Sequence, residues 1–156
     1  MTFATPATGA HDIDVEKRIR ARPEIVFAFL TDPVLYRRWK GREADLDPRP
    51  GGIYRVVMPG GIAVGEYHVV EPPRRVVFSW GWEGNPDVPP GSSLVEISLQ
   101  PDGAETVLHL RHSGLPAPAM AQHDQGWWHY LARLDVAAAG EDPGRDPFED
   151  GPLPTA

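Results

Sequence analysis

The chain contains no cysteine. That removes disulfides, thiolate nucleophiles and cysteine-based metal sites together, and with them any redox clue to compartment. Lysine is scarce too: Lys17 and Lys40 stand among 15 basic residues that are otherwise arginine, against 22 acidic ones. The formal net charge of −7 excludes nucleic acid as an expected partner, because phosphate contacts need clustered Lys and Arg. The local basic runs, Arg37-Arg38-Trp39-Lys40 and Arg74-Arg75, read as solvated helix and turn faces. No apolar run approaches the ~20 residues of a membrane span. The opening MTFATPATGAHD has neither a basic nor an apolar signal region. A cytoplasmic protein with no membrane partner is therefore expected. There is no HExxH, no Gly-rich phosphate loop and no G-x-S-x-G elbow, so no cofactor is expected. His109 and His112 are the close histidine pair. A regular strand points them to opposite faces, which argues against a shared metal.

What is present is one domain's worth of chain, 156 residues, enough to bury a core without staples. The preference for Arg over Lys, with abundant Pro, Gly and Ala, points to a GC-rich, bacterial source. Residues 1–11 read as a flexible leader and 12–140 as the domain. Residues 141–156, rich in Pro, Gly and Asp, read as an extended tail.

Residues 13–20 alternate, with Ile13, Val15 and Ile19 on one face, as a half-buried strand does. Lys17 falls on that face and is expected to snorkel to the edge. Pro23 opens a first helix at the position where a missing N–H costs nothing. Asp32-Pro33 caps and opens a second. Strands then follow one another to about residue 115, punctuated by Pro50-Gly51-Gly52, Pro59-Gly60-Gly61, Glu71-Pro72-Pro73-Arg74 and Pro101-Asp102-Gly103. The stretch 83–92, EGNPDVPPGS, reads as a loop.

The most informative segment runs from Met120 to Ala138. Met120, His123, Trp127, Tyr130, Leu131, Leu134 and Ala138 recur at intervals of three and four, as a buried helical stripe requires. Three of these carry polar tips, so the stripe can close a core or roof a cavity. The expected fold class is α+β: a curved antiparallel sheet of about six strands gripping a long C-terminal helix, with two short helices after the first strand.

The ordered set of local patterns supports a family assignment. It comprises Pro23-Glu24-Ile25-Val26-Phe27, Leu30-Thr31-Asp32-Pro33, Trp39, Gly51-Gly52-Ile53-Tyr54, Gly65 with Glu71-Pro72-Pro73-Arg74, and Phe78-Ser79-Trp80. It ends with Thr106 through Leu115, then His123, Gly126-Trp127, Tyr130-Leu131 and Leu134. Over roughly residues 13–140 the chain resembles the START-like (SRPBCC) helix-grip superfamily. Within it, the nearest resemblance is to the group related to the C-terminal domain of the activator of heat-shock protein 90 ATPase. The resemblance implies a cavity between sheet and long helix. Relatives include carriers, cyclases, resistance proteins and co-chaperone domains, so fold alone does not choose a function.

The ligand-binding candidates are Trp39, Tyr54, Phe78, Trp80, His112, His123, Trp127 and Tyr130. The aromatics suit a planar apolar molecule. His112 ends a strand whose inward face is Thr106, Leu108, Leu110 and His112, so it and His123 are expected to converge. They could serve as a ligand contact or a general acid/base pair, or each could simply be a hydrogen-bonded structural imidazole. Tyr67 is ambiguous, while Glu66 and His68 read as solvent-side. Trp128, off the stripe, reads as helix-edge packing or a homodimer contact. Gly126 is expected to admit a close neighbour. The leading reading is a non-catalytic domain holding an apolar, aromatic small molecule. The alternatives are a polyketide cyclase/dehydratase-like enzyme using His112 or His123, and a co-chaperone-like interaction domain.

Overall fold

The computed structural model describes residues 12–150. The leader expected over 1–11 and the end of the tail lie outside the described residues. The first strand, β1 (Ile13–Ile19), buries Ile13, Val15 and Ile19, and leaves Lys17 partly exposed on the same face. Helix α1 (Pro23–Thr31) begins at Pro23 and buries Val26, Phe27, Phe29 and Leu30. Helix α2 (Pro33–Tyr36) is short, and the Asp32 carboxylate caps it by accepting from the Val34 and Leu35 N–H groups. Six more strands follow: β2 (Glu43–Leu46), β3 (Ile53–Met58), β4 (Gly61–Glu71), β5 (Arg75–Trp80), β6 (Ser93–Asp102) and β7 (Glu105–Ser113). Helix α3 (Met120–Ala138) closes the domain over the range read from its periodicity.

The strands form one antiparallel sheet of seven in the order β1-β7-β6-β5-β4-β3-β2. The sequence reading expected about six. The additional one is β2, four residues that pair Glu43–Leu46 with Val57–Tyr54. Its segment, EADL, offers too little alternation to be seen without its partner. The inner face carries Val95, Ile97 and Leu99 from β6 and Thr106, Leu108, Leu110 and His112 from β7. Against it α3 lays His123, Trp127, Tyr130, Leu131 and Leu134. Burying these two apolar faces against each other is the main source of stability.

The segment 141–150, read from composition as extended tail, is held against α3. Tyr130 Oη donates to Asp146 Oδ2 at 2.7 Å, and Phe148 stacks on His129 with ring centroids 4.0 Å apart. Arg133 reaches further, donating from Nε to the Trp39 carbonyl at 3.1 Å and from Nη2 to the Gly144 carbonyl at 2.9 Å.

Candidate functional site

The eight candidate residues separate into two groups. Tyr54 and Phe78 lie deep on the sheet, stacked 4.2 Å apart, with Tyr36 and Tyr67 at the edges of Tyr54. This cluster satisfies its own polar tips: the Tyr36 and Tyr54 hydroxyls bond each other, and Tyr67 Oη donates to the Leu30 carbonyl. Burial, the largest cause, pushes all three phenols above their ordinary value. Trp39 belongs to the structural side too, fully buried with Nε1 donating to the Phe29 carbonyl at 2.9 Å.

Trp80, His123, Trp127 and Tyr130 instead line a void between sheet and α3, with His112 in ring contact behind them. Trp80 and Trp127 touch, with centroids 5.6 Å apart. The void is small, about 30 Å³, where ligand sites commonly occupy ~300–1,000 Å³. In this conformation the aromatic roof nearly fills the space expected for a ligand.

Hydrogen bonding fixes both imidazoles. Trp127 Nε1 donates to His112 Nδ1 at 2.9 Å, so His112 Nε2 carries the proton toward Ser93 Oγ, which donates on to the Trp80 carbonyl. Trp82 Nε1 donates to His123 Nε2 at 2.9 Å, which leaves Nδ1–H to donate to the Ala119 carbonyl. Burial first, then the charge of neighbouring groups, holds His112 well below its ordinary value. Burial likewise lowers His123, with the Ala119 bond opposing it. Both rings are therefore neutral near pH 7, with each nitrogen engaged, and neither offers a free proton or lone pair to a substrate in this geometry.

Lys40 is the residue that the sequence reading missed. Read as part of a solvated basic run, it is 2% exposed. The reason is local. The Trp39 indole is anchored on α1, and its carbonyl is anchored by Arg133 of α3. Gly41 follows with φ +85°, and a Cβ there would meet Val56 Cγ1 at 2.5 Å. A backbone fixed on both sides of residue 40 turns its side chain inward. Nζ then sits 3.9 Å from the Trp127 centroid and 4.4 Å from that of Trp80, with Trp39 and Tyr130 at 5.7 and 5.8 Å. Among the described residues it has neither a hydrogen-bond acceptor nor a carboxylate partner. Desolvation drives its pKa well below the ordinary lysine value. Trp80 Nε1 is also buried without a partner. A Pro-free, polar Arg-Arg-Trp-Lys run followed by Gly held the available signal, because the lone lysine next to a Trp-Gly frame is out of character with an arginine-rich surface.

Other expectations resolve simply. Tyr67 faces inward and is buried, while Glu66 and His68 are exposed. His109 is exposed and paired with Asp14, on the face opposite His112. Trp128 is 47% exposed. Gly126 does not serve close packing: a Cβ there would meet nothing within 4 Å, and the residue lines the void. Among the described residues no group of three or more His, Asp or Glu could hold a metal, and no helix is long and apolar enough to cross a membrane.

Trp82, Gln122 and His123 separate the void from a surface groove of about 350 Å³ beneath the 83–92 loop. The groove is walled by Val88, Pro116, Pro118 and Ala119, with Asp87 and Asn85 along it.

The comparisons with known proteins agree with this architecture. An AHSA1-like protein from Rhizobium etli is 47% identical, covering 95% of this chain and 92% of its own, with a TM-score of 0.69. DynU16, a protein of the dynemicin biosynthetic locus, is 26% identical over 87% of this chain and 50% of its own, with a TM-score of 0.74. The Aha1 dimer of Colwellia psychrerythraea shares the fold at 18% identity, with 82% and 96% covered and a TM-score of 0.73. No curated protein matches. The profile described as Activator of Hsp90 ATPase homolog 1-like protein matches residues 20–139, and the chain belongs to that family.

Proposed function

We propose that this protein binds an apolar, aromatic small molecule at the aromatic pocket between the sheet and α3. The observation that carries the reading is Lys40: a buried lysine with no acceptor, aimed between two indoles at a void. Holding a buried lysine charged without a counter-charge costs several kcal/mol, of which a desolvated cation–π contact offsets ~2 kcal/mol, and the amine gives up its proton readily until an anion arrives. A core selected for stability alone favours an apolar side chain there. The likeness to a protein of the dynemicin biosynthetic locus supports a small-molecule role. With about 30 Å³ available, binding of a whole ring requires the Trp82–His123 bond to open and Gln122 to swing aside. Native mass spectrometry of the protein purified from its own host tests the reading. A retained small molecule, lost on unfolding, is expected. No retained mass, together with no shift of pocket residue signals in NMR titrations with aromatic probes, overturns it.

The catalytic alternative draws less support, because His112 and His123 have both nitrogens occupied. The interaction alternative rests on a different observation, the exposed Trp128 on the outer side of α3. A homodimer through that face would show as a concentration-dependent mass in sedimentation that Trp128→Ser abolishes.

A further inference from the structure

The free hydrogen-bonding groups at the void define what kind of ligand end it can accept. His123 is occupied at both nitrogens. Tyr130 Oη gives its proton to Asp146, Trp127 Nε1 to His112, and Trp82 Nε1 to His123. What remains is Trp80 Nε1, buried without a partner, and Nζ of Lys40, a residue 2% exposed whose contacts are with aromatic rings. Both are donors. Among the described side chains of the buried wall, the oxygen left able to accept is Tyr130 Oη, whose proton is committed to Asp146, and no hydrogen bond joins it to either donor. Gln122 stands half-exposed at the mouth, and Met58 contributes a thioether.

We infer that the ligand of this site carries a single acidic oxygen group, a carboxylate or phenolate, which enters the void and pairs with Lys40 while its apolar body lies toward the groove under the 83–92 loop. The inference rests on the small-molecule reading above and specifies it. Size supports it: about 30 Å³ holds roughly two water-sized groups, the scale of a carboxylate's two oxygens and far short of a ring. Charge supports it as well, since a buried ammonium gains most from an anion that replaces its lost water. Trp80, a lining residue, has a second unpartnered donor in its Nε1. The groove beyond Trp82 is apolar through Val88, Pro116 and Pro118, while Asp87 lines it. That carboxylate repels a second negative charge, so the acid is expected at one end of the molecule alone. The groups facing Lys40 are His112, His123, Trp80, Trp127 and Tyr130. None is an anion, so the ligand supplies the counter-charge.

The test is calorimetric titration with 2-naphthoate and its neutral isostere 2-naphthamide. The acid is expected to bind the native protein on the order of thirtyfold more tightly than the amide, the effect of a desolvated charge pair. Lys40→Met is expected to bring the acid down to the level of the amide and leave the amide unchanged. Trp80→Phe, which keeps the ring wall, is expected to weaken the acid alone by a smaller factor. Titrations in phosphate and Tris, whose ionisation heats differ, are expected to show proton uptake with 2-naphthoate in the native protein and none in Lys40→Met. Equal binding of acid and amide, or an acid affinity indifferent to both substitutions, overturns the acid inference while the pocket stands. Binding of neither probe, with an empty host-purified protein, brings down the pocket reading and this inference together.

Discussion

Two aromatic regions share the space beneath α3, and they treat their polar tips in opposite ways. Around Tyr54 the hydroxyls of Tyr36, Tyr54 and Tyr67 each find a partner inside the core, and the rings stack without a gap. Around Lys40, the ammonium and the Trp80 indole N–H find none, and a void remains. Both regions are equally buried and equally rich in aromatic rings. Satisfaction of the polar groups, rather than aromatic content, distinguishes core from site.

The largest effect is expected at the satisfied end. Tyr54→Ala removes a fully buried ring stacked on Phe78 and should cost about 3–5 kcal/mol, the usual range for deleting a core aromatic. Urea denaturation checks it. A loss below 1 kcal/mol would dissolve the contrast between the two regions.

Next come two substitutions of opposite sign. Tyr36→Phe leaves the Tyr54 hydroxyl buried without its partner and should cost about 1–3 kcal/mol. Lys40→Met removes a buried amine with no hydrogen-bond or carboxylate partner and should raise stability by roughly 1–3 kcal/mol, even after loss of the contacts with the indoles. If Lys40→Met is the destabilising one, the lysine is a brace for Trp80 and Trp127, and the contrast fails at its functional end.

Titration sharpens the same comparison. His112 and His123 are held below their ordinary value, mainly by burial. As pH falls through about 6.5 the unfolded chain takes up protons that the folded one refuses. Stability should fall there, with a limiting slope on the order of 1 kcal/mol per pH unit for each histidine. Lys40 is also held low by burial. Below the ordinary lysine value its unfolded form holds the proton more tightly than the folded form, so its contribution makes stability rise with pH. Lys40→Met should lose that rise. Above pH 10 the buried tyrosines, raised by desolvation, reverse the trend in both proteins. Chemical denaturation from about pH 5 to above pH 10 reads all three limbs.

The smallest effect is at Gly126. A methyl group there meets nothing within 4 Å, so Gly126→Ala should gain up to about 1 kcal/mol from helix propensity. Because the residue lines the void, the same change should weaken binding of any ligand seated there. A stabilised protein with unchanged affinity would place the ligand elsewhere.

Most of the fold was legible because its signals are local and periodic. Pro23 and Asp32-Pro33 mark helix starts, the Gly- and Pro-containing turns mark hairpins, and the spacing from Met120 to Ala138 gives α3 its bounds. Strand β2 was not legible, since four residues take their structure from pairing with β3. The convergence of His112 and His123 was legible from strand alternation and helix spacing, and their rings lie 5.5 Å apart. Their neutrality was not, because it depends on Trp82 and Trp127 donating across the interior. Lys40 was hidden for a related reason. Its inward turn is imposed by contacts of its neighbours with α1, α3 and β3, of which the run itself shows only a lysine beside Trp and Gly in an arginine-rich chain.

The bridge made by Arg133 has a consequence for where this domain ends. One guanidinium joins the Trp39 carbonyl, one residue before Lys40, to the Pro143 and Gly144 carbonyls, while Asp146 holds Tyr130 of the pocket wall. The family profile ends its match at residue 139, although the Rhizobium etli relative aligns over 95% of this chain. A chain ended at residue 139 keeps every strand and the whole of α3, yet strips Arg133 of two of its three carbonyl acceptors and Tyr130 of its carboxylate. The stretch that the profile matches and the stretch that shapes the pocket therefore differ in length, and the second is the longer.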